Sequence, residues 1–331
     1  MKYIKKLAVT VIATILMITQ AQIGAPAENL EASMQEHQPL KTVLGYFAGE
    51  DFKFEFEERG GWVYSVSAEG PLSDINIPIA ADLIGYASGY DDGISSPVKT
   101  FFETRIGELV GQGEVPLAVE QYMLRVEVLN EAVPYNVKLK LELAELDTSL
   151  FPATRHVLGP ADARHVIREF SDFQCPFCAR FNNSALPQIK EQLLTRGDVR
   201  FEFHHFPLVS IHPNAFPSAE AAECVTAANN PEAFWDYHDA LFARQQAWSN
   251  LGESTAYFIR LAQDVGLSID GVEQCMSDRQ FAADVQASFD AATRLGIRGT
   301  PTVYVNGFKV ADFNNIDGYL GLIDLSEKFS E

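Results

Sequence analysis

Residues 170–180 read FSDFQCPFCAR, an apolar run that ends in two cysteines separated by proline and phenylalanine. A pair so spaced closes a disulfide, supplies half of a metal site or sits as two buried thiols, and the surrounding sequence has to decide. Upstream, HVIREFSDF reads as a short, largely apolar strand. Downstream, residues 178–195 are patterned as a helix, with Pro187 expected to kink it or to start a second helix behind Asn183 and Ser184. Cys175 therefore stands where a strand passes into a helix. Unpaired backbone N–H groups and the positive end of the helix dipole favour a thiolate there. Pro176 has no N–H to lose and fits the first helical turn. Cys178, three residues on, lies on the same side, close enough to close a small disulfide ring.

Farther along, VRFEFHHF at 199–206 is an alternating strand, and a helical pattern fills about 210–295. Ser218 is expected to cap one helix there. Asn230 with Pro231 opens another, whose apolar face is Phe234, Trp235, His238, Leu241 and Phe242. Ser277 is expected to open a third, with Phe281, Val285 and Phe289 at four-residue spacing and Gly296 as its stop. The chain returns to strand at TPTVYVNGFKV, where Asn306 and Gly307 make a tight hairpin turn.

EFSDFQCPFC, followed by a helical stretch placed before GTPTVYVNG, resembles the DsbA-like thiol-disulfide oxidoreductases. In that group a helical domain interrupts a thioredoxin core, and the resemblance covers about residues 155–331. It implies an α/β thioredoxin fold with an inserted helical domain. It also implies that Cys175 is the attacking, solvent-facing thiol and Cys178 the buried resolving one. Pro301 matches the family's cis-proline, and Thr300 before it occupies the position that contacts the active cysteines. Glu169, upstream of Cys175, matches a buried acid beneath the disulfide that assists proton transfer. Pro176 and Phe177, between the cysteines, are expected to tune the pair. Phe177 fills a slot where the DsbA oxidases commonly have histidine, so thiolate stabilisation from that side chain is absent.

Cys224 and Cys275 both fall in the helical stretch, and a structural disulfide between them is expected against two free buried thiols. Zinc ligation by the CPFC pair with His204, His205 and His212 lacks a second close-spaced pair. His204 and His205, adjacent on a strand, point to opposite faces. No metal and no diffusible cofactor are expected, and His238 reads as a packed histidine.

The chain has 331 residues, 47% of them hydrophobic, which suits about two domains with packed cores. Residues 38–150 contain no cysteine and several period-two segments. Phe52, Phe54 and Phe56 alternate with charge, and Arg59, Gly60 and Gly61 turn the chain back to a face of Trp62, Tyr64 and Val66. Leu124, Val126 and Val128 form a third segment. Val137, Leu139, Leu141 and Leu143 follow beyond Pro134, and one helix-like stretch spans Pro97–Leu109. These predict a small α+β domain with an antiparallel sheet, apolar on one face and of unknown role. A linker is expected over Asp147–Asp162, where Pro152, Gly159 and Pro160 interrupt the pattern.

At the start, Lys2, Lys5 and Lys6 precede an apolar run from Leu7 to Thr19 and then small residues. That order predicts a signal peptide over 1–27, the run being shorter than the ~20 residues of a spanning helix. An extracytoplasmic location (periplasm, cell envelope or secreted) follows as an expectation, and an oxidising compartment lets disulfides persist. The net charge of −20 opposes binding to nucleic acid.

The function expected is thiol-disulfide exchange on exported proteins, forming, isomerising or reducing their disulfides, with oxidation favoured. The resemblance implies a membrane redox partner, a quinone-linked oxidase or a reductase. The N-terminal domain is a candidate for self-association. The rival is a redox-inactive envelope protein, metal-binding or a folding chaperone, on the same fold.

Overall fold

Strand pairing on both sides explains why HVIREFS is buried at every position although it carries three charged or titratable side chains. In the computed structural model, which describes residues 53–59, 62–88, 90 and 92–329, the chain divides into two compact units. One holds the described residues up to Ala144 together with those from Asp324 on, and the other runs from Glu145 to Ile323. The leader expected at 1–27, and Phe52, Gly60 and Gly61 of the expected hairpin, lie outside the described residues.

In the first unit, strands β1 (Lys53–Arg59), β2 (Trp62–Pro71), β3 (Val115–Val119), β4 (Tyr122–Val128) and β5 (Asn136–Leu143) form an antiparallel sheet ordered β1-β2-β5-β4-β3. The register places Leu124 opposite Leu141 and Val126 opposite Leu139, so one face is apolar and buried. Close to the Arg59–Trp62 pair the face departs from strict alternation. A register shift between Glu57 and Glu58 sets Ser65 opposite Glu57 and Val63 opposite Glu58, with Tyr64 between the two pairs, so Val63 and Ser65 are buried and Tyr64 is only half-buried. Helices α1 (Asn76–Ser88) and α2 (Asp92–Thr104) pack on each other, and α1 lies against β2 and β5. The expected single helix at Pro97–Leu109 is thus corrected. The second helix begins five residues before Pro97 and is followed by a 3-10 turn at Ile106–Leu109, and α1 was not foreseen. NIPIAADLIGYAS is apolar almost all round because most of it is buried, and such a segment has no amphipathic stripe to read.

The second unit contains a mixed sheet ordered β10-β9-β7-β8-β6. Its strands are β6 (Val157–Leu158), β7 (His165–Ser171), β8 (Val199–His205), β9 (Thr302–Val305) and β10 (Phe308–Lys309). β7 is central, parallel to β8 and antiparallel to β9. Helix α3 (Pro176–Gln188) makes the crossover from β7 to β8. It continues through Pro187 instead of breaking there, and then widens into a π turn at Ile189–Leu193. Proline's missing N–H falls so near the helix end that the chain answers it by widening the next turn. The expected linker is also corrected. Val157 and Leu158 pair with Glu202 and Phe201, and the Thr154 hydroxyl donates to the Phe203 carbonyl.

Between β8 and β9 the chain inserts helices α4 (Ala215–Ala228), α5 (Ala233–Ala243), α6 (Gln245–Trp248), α7 (Thr255–Asp264), α8 (Val272–Ser277) and α9 (Ala282–Arg294). Two expected caps move. Ser218 lies inside α4, its hydroxyl donating to the Ala215 carbonyl, and Ser277 closes α8, while Phe281 sits at the start of α9. Serine serves an interior position when its hydroxyl can bond back to the helix, so residue type alone does not mark the end. Gly296, at φ 80°, follows α9 in the left-handed region that glycine tolerates. Cys224 of α4 and Cys275 of α8 are joined by a disulfide across 51 residues. In the chain-entropy account such a closure destabilises the unfolded chain by about 4 kcal/mol. Tyr319 and Ile323, on helix α10 (Ile316–Phe329), fill the same core as Phe181, Phe201 and Val305.

Candidate active site

Cys175 caps α3 with extended backbone angles, φ −72° and ψ 125°, and Pro176 occupies the first turn. The chain reverses there because Asp172, Gln174 and Cys175 fold into a turn. The Cys175 N–H donates to the Asp172 carbonyl, and the Gln174 N–H donates to Asp172 Oδ1. Cys175 and Cys178 are free thiols, both buried. Cys175 is 4% exposed, not open to solvent as expected, because Thr300 packs against it with its carbonyl oxygen 3.5 Å from Sγ. The Thr300–Pro301 peptide is cis. The turn before β9 brings Thr300 to Cys175 from far along the chain, with Pro301 next in sequence.

The two thiols differ electrostatically. A hydrogen bond from the Cys178 thiol is the main influence that draws Cys175 down to about 6, against the upward push of burial. The Thr300 side chain and the backbone N–H groups of Cys178 and Phe177 lower it further. The Thr300 hydroxyl has no other hydrogen-bond partner among the described residues. Cys178 is pushed well above the usual thiol range, first by complete burial, then by its bond to Cys175 and by the charge of Glu169. The Asp172 N–H points at its sulfur from 3.5 Å.

Glu169 lies on β7 opposite Phe203 and Val303, 1% exposed. Both of its carboxylate oxygens are buried without a hydrogen-bond partner among the described residues. Burial raises it to about 8, against a lowering influence of the Ser171 side chain and with the Cys175 charge adding to the rise. A carboxyl so enclosed favours its protonated form until a proton acceptor or donor nearby changes charge.

Phe177 is 52% exposed, and the Arg180 guanidinium lies over its ring at 5.0 Å. Helix α3 also borders a cavity of about 410 Å³ with Asn183, Arg244 and Gln246 on its walls.

Three amide side chains, not foreseen from the sequence, tie the insert to the active turn. Gln174 accepts the Asn214 N–H and donates to the Ser249 carbonyl. Gln245 donates to the Phe173 and Cys175 carbonyls. Asn214 donates to the carbonyls of Trp248, Ser249 and Leu251. Asp172 was missed as well. It is buried and accepts the Leu208 N–H and a bond from His212 Nδ1. Isolated Gln, Asn and Asp residues in turns carry no spacing signal. His212 is drawn to Asp172, and His204 stacks on Phe170, so neither joins the cysteines. His238 is fully buried among aromatic rings. No helix among the described residues is long and apolar enough to cross a membrane.

Residues 152–325 match the family described as Thioredoxin. The chain is 35% identical over 165 residues to the Na(+)/H(+) antiporter NhaA 3 of Salinispora tropica, covering 50% of this chain and 24% of that protein. It thus spans about a quarter of the length of the antiporter relatives it matches. It is 29% identical over 168 residues to disulfide bond formation protein D of Bacillus subtilis, covering 49% of this chain and 72% of that protein. The oxidised crystal structure of BdbD from Bacillus subtilis is similar at 25% identity with a TM-score of 0.47, over 57% of this chain and 97% of that one.

Proposed function

This chain belongs to the thioredoxin family, and on that premise we propose that it is an extracytoplasmic thiol-disulfide oxidoreductase that donates disulfides to exported proteins. The observation that carries the reading is the asymmetry of the sulfur pair, Cys175 drawn down to about 6 and Cys178 held well above the thiol range. The likeness to disulfide bond formation protein D supports the oxidising direction. In the oxidised enzyme a substrate thiolate attacks Cys175 Sγ and breaks the Cys175–Cys178 bond. Cys178 leaves as a thiolate and takes a proton from Glu169. A second substrate thiolate then attacks the substrate sulfur of the mixed disulfide, and Cys175 leaves as a thiolate that its environment stabilises. The substrate is oxidised by two electrons and the enzyme is left as a dithiol. A membrane-bound oxidant must reoxidise it.

Thr300 and cis-Pro301 serve this chemistry as the wall on which extended substrate backbone rests, and Pro176 keeps the first turn of α3 in shape. Phe177 presents an apolar, exposed ring to the incoming chain. The thiolate is stabilised without histidine in that slot, by Cys178, Thr300 and the helix-start N–H groups.

The test is alkylation of the reduced full chain with iodoacetamide across pH 4 to 9. One thiol, Cys175, is expected to react with a midpoint at about 6, while Cys178 stays unmodified. Two thiols reacting alike, with a midpoint near the free value of ~8.5, would remove the basis of the reading.

A further inference from the structure

Elsewhere in the same unit, three ligand-type side chains from three elements converge and take no part in the sulfur chemistry. His156 precedes β6, His205 ends β8 and Glu223 lies on α4, and each is buried. His156 Nε2 lies 2.7 Å and His205 Nε2 2.9 Å from the same carboxylate oxygen, Glu223 Oε1. The three donor atoms all fall within 4.8 Å of one another. The His156 ring is fixed by stacking on Phe234, with centroids 3.5 Å apart, and the His205 ring stands edge-on to Phe203. The cluster forms one wall of a cavity of about 610 Å³, on which Asp284 and Ser288 also lie.

These groups already satisfy one another, and that network is what a cation has to displace. The Arg155 guanidinium bonds Glu223 Oε2 and lies 3.7 Å from Asp284. Its side chain is half-exposed, so it can swing into solvent, while the two rings and the carboxylate cannot. Burial keeps His156 neutral, with its pKa lowered to about 4, and Glu223 ionised well below the usual carboxylate range by its imidazole partners. Two imidazoles and one carboxylate, facing a cavity, form the donor set of a three-ligand zinc site. Tetrahedral bonds of ~2.0–2.1 Å separate neighbouring donor atoms by about 3.3 Å, so each imidazole has to retreat from Glu223 by roughly half an ångström. Each ring must also hold its proton on Nδ1 to ligate through Nε2.

We propose that His156, His205 and Glu223 form a binding site for a divalent transition metal of the zinc type, completed by a water from the cavity and guarded by Arg155. Such a metal ties the segment before β6 and strand β8 to helix α4 of the insert. It is independent of the cysteine pair. The donors differ from the all-oxygen set that calcium or magnesium prefers.

The test is calorimetric titration of the full chain with ZnCl₂, after oxidation of Cys175 and Cys178 so that no thiol competes, with CaCl₂ in parallel. One equivalent of zinc is expected to bind, and His205→Ala is expected to lose it with an unchanged far-UV spectrum. Arg155→Gln removes the competing cation and is expected to tighten zinc binding by roughly tenfold or more. Loss of fold cannot mimic that gain. Absence of zinc binding in both the parent and Arg155→Gln proteins would overturn the proposal. So would undiminished binding in His205→Ala, or calcium binding as tightly as zinc.

Discussion

Replacing Cys175 by serine is expected to slow thiol-disulfide exchange by a factor on the order of 10³ or more, the usual scale for removing a covalent nucleophile. The reason lies in the pair itself. At neutral pH Cys175 is largely ionised, and Cys178, fully buried, is not. Only a thiolate attacks or leaves readily, so serine at 175 leaves a site with no reactive sulfur. Cys178→Ser behaves differently. Cys175 still exchanges with a disulfide substrate, but nothing resolves the product, and a mixed disulfide accumulates. Non-reducing electrophoresis with a small disulfide-bonded protein distinguishes the two variants. Equal loss of adduct in both would place the nucleophile elsewhere.

Glu169→Gln is expected to make the protein more stable at neutral pH and slower in turnover. Glu169 is raised in the folded chain from an ordinary 4.5 to about 8. The folded state therefore binds a proton that the unfolded state releases between those values. The favourable contribution of the protonated carboxyl is complete below about pH 4.5 and is lost as pH rises through about 8. Glutamine has no proton to lose. The variant should match the parent at pH 4 and exceed it by about 2 to 4 kcal/mol at pH 7.5, since each pH unit in that window is worth up to ~1.4 kcal/mol. Exchange should fall by about 10²-fold, the scale of a lost acid-base group, because Cys178 then has no nearby proton donor. Urea denaturation at several pH values, paired with exchange rates, measures both. A variant that follows the pH dependence of the parent would mean that Glu169 is not the titrating group.

Much of the second unit is legible in the sequence because local rules and tertiary structure agree there. β7 is a short apolar run, Cys175 and Pro176 suit a helix start, and Asn306, at φ 54°, with Gly307 suits a tight hairpin. The sequence is silent where burial erases periodicity, as in α1, or where a bulge shifts the face, as at Tyr64. Partners distant in sequence are equally hidden. Gln245 reaches the Cys175 carbonyl, and Glu223 gathers His156 and His205, only because the insert folds back on the sheet. The spacing rules that exposed Cys175 and Cys178 have nothing to grip in those residues. His205 stands out in the sequence as a ligand type, but nothing in its spacing points to His156 or Glu223 as its neighbours.

The most direct measurement is the reduction potential of the Cys175–Cys178 pair, read from the fraction oxidised in glutathione buffers of known poise. A Cys175 thiolate stabilised to about 6 stabilises the dithiol and makes the disulfide a stronger oxidant. The expected value is less negative than thioredoxin's roughly −270 mV, falling between about −120 and −230 mV. A value at or below about −270 mV, or a pair that does not equilibrate with glutathione, would contradict the account.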